Sequence, residues 1–150
     1  MNADEALAHA VAASLESPCL SKRGVAIFAI GGLIATGYNA PPAPWRCSAN
    51  ADCKRTCRHT AIHAEMAALL EAGRSARGAQ MLHVKTVDGA PVPSGSPSCV
   101  ACSKTILAAG IARMWLLHED GLRAYGAEEF HRLSLADDMS HTGVDRCSMP

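Results

Sequence analysis

A chain of 150 residues with 49% hydrophobic side chains is long enough to bury one core and too short for two ordinary domains. Its 14 basic side chains balance 14 acidic ones and aromatics make up 4% of it, which argues against a basic groove with stacking aromatics for nucleic acid. No apolar run reaches the length of a membrane span, and Met1 to Glu16 lacks the basic start and apolar centre of an export signal, so the expected location is cytoplasmic, with neither membrane nor nucleic acid as partner.

In chain order, Asp4, Glu5 and His9 among alanines predict an amphipathic helix over about Asp4 to Glu16. Gly24 to Ile30 and Leu33 to Tyr38 are apolar, β-prone runs joined by Gly31-Gly32, the pattern of an antiparallel hairpin. A loop with Pro41, Pro42, Pro44 and several cysteines follows. Thr60 to Ala72 is rich in strong helix formers and stops at Gly73, and Cys99 to Ala109 is a second such run that stops at Gly110. Between them Met81 to Val87 reads as a strand and the Gly/Pro/Ser-rich Asp88 to Ser98 as a loop. Ile111 to Leu117 is a fourth strand. A fifth is not marked, because Gly121 to Tyr125 is short, and Ala127 to Leu133 reads as helix. Ala136 to Pro150 is polar and aperiodic, a peripheral arm. The expected units are thus one domain over 1–135 and a C-terminal tail over 136–150. Strands alternating with helices imply a layered α/β domain around a mixed sheet.

The chemistry concentrates at the starts of the two central helices. His63-Ala64-Glu65 opens one, and Pro97-Ser98-Cys99-Val100-Ala101-Cys102 opens the other. The Cys-x-x-Cys spacing puts both sulfurs on one helical face, beside unsatisfied backbone N–H groups that favour thiolates. Taken singly, the first triplet is an ordinary helix start and the second a possible redox pair. Together they supply one His and two Cys. Structural zinc sites close with four protein ligands, whereas catalytic ones stop at three and leave a position for water. His63, Cys99 and Cys102 make three, and Glu65 is a carboxylate left over to carry protons.

A second group precedes the catalytic helix: Cys47, Cys53 and Cys57 in the proline-rich loop, with Cys19 upstream and His59 just after. Thiolates at short loop spacings are typical of a structural zinc that substitutes for a core the loop lacks. The fourth ligand is open on spacing alone, since Cys19 can equally be a small buried side chain. Cys147 has no partner in this scheme and reads as a free thiol.

With these motifs the chain resembles the zinc-dependent cytidine and deoxycytidylate deaminase superfamily, whose signature is H-x-E followed by P-C-x-x-C, and within it the phage-type deoxycytidylate (dCMP) deaminases. One departure is Ser98, placed between Pro97 and the first cysteine. The resemblance implies a three-layer α/β/α cytidine deaminase-like fold with a mixed central sheet. It implies catalytic zinc on His63, Cys99 and Cys102, attack of zinc-activated water on the ring carbon that bears the amine, and proton transfer by Glu65. The stretches Ser17 to Val25 and Thr36 to Pro42 are similar to those that frame a second zinc in some phage enzymes, so Cys19 would complete a site with Cys47, Cys53 and Cys57, with His59 in reserve. By the same resemblance Asn39 would bond the sugar of a nucleoside or nucleotide, although a turn-forming role suits it as well, and Ala64 and Ser98 would also touch substrate.

The expected reaction is hydrolysis of dCMP to dUMP and ammonia, in a homo-oligomer, dimer or hexamer. Arg46, Lys54, Arg55 and Arg58 stand against one acid, Asp52, in the loop after Asn39, a local surplus that suits a phosphate or is simply a solvated face. The alternatives are another free nucleoside or base, a cytosine or adenine within a polynucleotide, or a non-catalytic module stabilised by zinc. The last leaves Glu65 and the three-ligand count without a purpose.

Overall fold

The computed structural model describes residues 1–50 and 60–142. Helix α1 (Ala3–Leu15) begins where Asn2 and Glu5 cap each other. The Glu5 amide donates to Asn2 Oδ1 at 2.9 Å and the Asn2 amide to Glu5 Oε2 at 3.0 Å, which satisfies donors that a helix start otherwise leaves open. Strands β1 (Lys22–Ala29) and β2 (Gly32–Tyr38) form the antiparallel hairpin. Its turn is Ile30-Gly31, one residue before the expected Gly31-Gly32, because Gly32 already pairs with Ala29.

Strand β3 (Gln80–Val87) lies antiparallel to β1, with Val25 opposite His83 and Arg23 opposite Lys85. Its other edge is shared. Strand β5 (Arg113–His118) runs parallel to Gln80–His83, and the short β4 (Ala90–Val92) turns back to cover Lys85–Val87. Strand β6 (Gly121–Gly126) closes the sheet antiparallel to β5, giving the order β2-β1-β3-β5-β6 with β4 off the path. The parallel β3–β5 pair needs a crossover, which helix α3 (Val100–Ala109) supplies.

The sheet is covered on both faces, as a three-layer α/β arrangement requires. Alternation along the strands sends Ala26, Phe28, Leu82 and Val84 to the face under α1, where Ala6 and Ala10 meet them. Val25, Ile27, Met81, Met114 and Leu116 face the other way. There they pack on α2 (Ala64–Ala72, continued by a 3₁₀ turn to Ala76), on α3 and on α4 (Ala127–Thr142) through Ala68, Leu69, Ile106 and Phe130. Small residues fill the interfaces, so backbones approach closely. A methyl group added at Gly24 would sit 1.9 Å from the Ala10 carbonyl oxygen, and one at Gly37 would sit 2.4 Å from the Ala68 nitrogen.

Four details differ from the sequence reading. Helix α2 starts at Ala64 and not at Thr60, because Ile62 is held in a bridge to Ala40 and His63 is extended, with φ −70° and ψ 153°. Strand β4 occupies part of the expected loop. Strand β6 exists as an edge strand whose pairing is backbone-driven and whose Arg123 and Ala124 are exposed. Helix α4 continues through the first part of the expected arm, to Thr142. Among the described residues no helix is long and apolar enough to cross a membrane.

Candidate active site

Helices α2 and α3 point their N-termini at the same spot. His63 is the N-cap of α2 and Cys99 the N-cap of α3, and neither side chain caps its helix, which leaves both to face elsewhere. The Ala67 amide bonds the His63 carbonyl at 3.0 Å and the Ser103 amide bonds that of Cys99 at 2.9 Å, so each residue is fixed to its helix by the backbone. The Ala40–Ile62 bridge, with N–O distances of 3.2 and 2.8 Å, anchors the segment that leads into His63. Cys102 lies one turn into α3 and is buried.

The result is a compact donor set. His63 Nδ1 lies 3.5 Å from Cys99 Sγ and 3.3 Å from Cys102 Sγ, and the three donor atoms fall within 4.8 Å of one another. Tetrahedral zinc with bonds of about 2.3 Å to sulfur and 2.0–2.1 Å to nitrogen requires nitrogen–sulfur separations of about 3.6 Å. The observed spacings match that requirement to a few tenths of an ångström. One imidazole and two thiolates also form the soft donor set that zinc accepts. The group can hold one zinc ion.

The charges suit a cation too. The Cys99 thiol is pulled down to about 4, first by the hydrogen bond from Cys102 and then by that with His63. Cys102 is pushed up, first by sharing its proton with Cys99 and then by burial. His63 is raised, chiefly by its hydrogen bond to Cys99. A cation bound by these donors would replace the proton they share.

Glu65, in the first turn of α2, is 5% exposed. Ser98 Oγ donates to its Oε1. Burial works to raise the carboxyl, but the charge of His83 and the Ser98 hydrogen bond outweigh it, and the net direction is down. His83 is itself lowered by burial, against the pull of Glu65.

These side chains line a cavity of about 950 Å³. Ala64 and Ser98 are in its wall, and so is Asn39. Asn39 Oδ1 accepts from the Arg23 amide at 2.8 Å and from Ser17 Oγ at 2.9 Å, while Nδ2 donates to the Ser21 carbonyl at 2.9 Å. The side chain thus fastens the end of β2 to the loop before β1, and this bracing accounts for much of its hydrogen-bonding capacity. Arg46 is exposed and outside the cavity wall. Cys19 is buried, lines the cavity and points its sulfur at the Asn39 carbonyl at 3.4 Å; Cys47 is half-buried. Cys53, Cys57, His59, Lys54, Arg55, Arg58 and Cys147 lie outside the described residues.

The cavity also contains groups that motif reading passes over: Arg23, His83, Lys85 and Ser94. Two of them carry buried polar atoms with no hydrogen-bond partner among the described residues, His83 Nδ1 and Ser94 Oγ. The signal was present as alternation. Met81, His83 and Lys85 share one face of a strand, and that face begins as core.

No family model matches the sequence, and no curated protein matches it. Solved structures do. The dCMP deaminase of cyanophage S-TIM5, crystallised with dCMP and dUMP, is 23% identical over 76% of this chain and 81% of its own, with a TM-score of 0.56. The cytidine deaminase of Burkholderia pseudomallei is 19% identical over 87% of this chain and 96% of its own, with a TM-score of 0.62. That of Mycobacterium leprae is 20% identical over 83% and 93%, with a TM-score of 0.55. Their agreement with the mixed sheet and its flanking helices identifies the architecture: the chain has the fold of the cytidine and deoxycytidylate deaminases.

Proposed function

We propose that this chain is a zinc-dependent hydrolytic deaminase of a cytosine nucleotide, converting dCMP to dUMP and ammonia. The observation that carries the reading is a three-donor group of tetrahedral spacing next to a buried carboxylate that is not one of the donors. Structural sites have no use for such a carboxylate or for an open fourth position. The shared fold with enzymes of this kind, one of them crystallised with dCMP and dUMP, supports the substrate class.

His63, Cys99 and Cys102 hold the zinc in this proposal. The ion supplies Lewis acidity that brings the pKa of water toward neutrality. Glu65 accepts a proton from the attacking water and delivers protons to the ring nitrogen and the departing amine. A C–O bond forms, the C–N bond breaks, and ammonia leaves. Ser98 fixes one carboxylate oxygen of Glu65, and Ala64 brings a small, buried wall to the ring position. Asn39 stands beside the sugar, and Arg46, Arg55 and Arg58 are candidate cations for the phosphate. Cys19, Cys47, Cys53 and Cys57 form the proposed second, structural zinc site, with His59 in reserve. The enzyme acts as a cytoplasmic homo-oligomer, a dimer or hexamer.

The test is ammonia release measured across cytosine, adenine and guanine bases, nucleosides and monophosphates. We expect turnover on dCMP. E65A should keep its zinc and fold while turnover falls by several orders of magnitude, because the carboxylate moves protons and binds no metal. Loss of zinc from E65A would refute that role, and no turnover on any amine-bearing ring would refute the function.

A further inference from the structure

The cavity wall contains a pair of cations with no salt-bridge partner among the described residues. Arg23 on β1 and Lys85 on β3 are directly opposite each other in the antiparallel ladder, so their Cβ atoms are about 5 Å apart on one face of the sheet. Like charges so placed repel and destabilise the pair. Arg23 is also half-buried, which makes its charge costlier to keep. Among the described residues neither side chain forms an ion pair or donates a hydrogen bond. Arg23 feels the field of Glu65 without reaching it. Two cations held together, facing a cavity whose one carboxylate among the described residues, Glu65, forms an ion pair with neither, describe a site suited to an anion that arrives with the ligand.

A second observation is independent of the first. Ser94, in the loop after β4, also lines this cavity, and its buried Oγ has no partner among the described residues. The backbone holds it there, since the Ser94 amide donates to the Leu117 carbonyl at 2.9 Å. An unpaired buried hydroxyl is costly and gains from a ligand oxygen. All three groups line the same cavity, and a guanidinium fork, an ammonium and a hydroxyl are donors that phosphate oxygens accept. A phosphate monoester carries about 1.5–2 negative charges at pH 7, close to the two positive charges on offer.

We infer that Arg23 and Lys85, with Ser94, form a subsite that binds the phosphate of a nucleoside monophosphate substrate. The inference rests on the deaminase reading only for the identity of the nucleoside. The anion site itself follows from the sheet register and the cavity.

Calorimetric binding of dUMP and deoxyuridine, neither of which turns over, tests it on the metal-loaded protein. Wild type should bind dUMP about ten- to hundredfold more tightly than deoxyuridine. R23Q and K85Q should each lose most of that difference while deoxyuridine binding stays within about twofold. K85Q carries the test if the more buried R23Q fails to fold. Inorganic phosphate should compete with dUMP and not with deoxyuridine. Equal affinity for the two ligands, a dUMP advantage that survives both substitutions, absence of binding by dUMP and phosphate alike, or phosphate that binds without competing with dUMP would each overturn the subsite. If no ring is deaminated yet dUMP binding still depends on Arg23 and Lys85, the subsite stands and the proposed reaction falls.

Discussion

Ser98 is both the residue that departs from the Pro-Cys-x-x-Cys pattern and the residue that bonds Glu65. It is nearly buried and shares the cavity wall with Glu65. A hydrogen bond to an ionised group typically contributes about 1.5–3 kcal/mol. If the bond orients Glu65 for proton transfer, S98A should lower kcat by about ten- to hundredfold with KM little changed and zinc retained. S98T, which keeps the hydroxyl, should recover part of the loss. Wild-type kcat in S98A would show that Glu65 needs no such support. The site was legible in the sequence as far as its chemistry is local: His63, Glu65, Cys99 and Cys102 announce themselves by spacing within two helix starts. Arg23 and Lys85 do not, because only the β1–β3 register puts them side by side. Ser98 stood out only as an insertion, and its partner lies across the fold.

At the scale of elements, the apolar runs and helix formers located α1, β1, β2, β3 and β5, since each buries a face that the sequence had to make apolar. Where burial makes no such demand, the pattern is silent. Strand β4 has exposed side chains and pairs through its backbone, and α4 beyond Ser134 has no buried residue as far as Ser140. Ile62 has helix-forming neighbours, but the bridge to Ala40 overrides them. Gly24 and Gly37 mark where helices touch the sheet. An alanine at Gly37 would bring its Cβ within 2.5 Å of the Ala64 carbonyl oxygen and 2.4 Å of the Ala68 nitrogen, so α2 must move and take His63 and Glu65 with it. An alanine at Gly24 pushes on α1 instead, on the opposite face. Both variants should lose at least about 1–3 kcal/mol of stability, seen as a lower Tm. Only G37A should also show a marked drop in activity per folded molecule. Equal activity losses in the two would mean that α2 is not the element that positions the chemistry.

For the whole molecule, a zinc ion on His63, Cys99 and Cys102 would tie together the starts of two helices that already share one core. His63 and the pair Cys99 and Cys102 come from helices separated by strands β3 and β4, and a metal between them would turn that junction into a crosslink. The proposed second site would likewise join Cys19, between α1 and β1, to the loop that holds Cys47, Cys53 and Cys57. Aromatics are scarce and alanines make up a large share of the core, so on the proposed reading such crosslinks would add stability that larger side chains otherwise provide. A ligand that binds the folded state alone at a thousand times its Kd adds about 4 kcal/mol. We therefore expect metal analysis to give about two zinc ions per chain. Chelation should lower Tm by several degrees or more and added zinc should restore it. C53S or C57S should remove about one of the two ions and lower Tm, while leaving kcat of the surviving folded enzyme within a few-fold of wild type. H63A should remove the other ion together with all turnover. One zinc per chain with Cys19, Cys47, Cys53 and Cys57 all open to thiol reagents would overturn the second site. If C53S kept both ions, the fourth ligand would have to be sought elsewhere, with His59 the first to test.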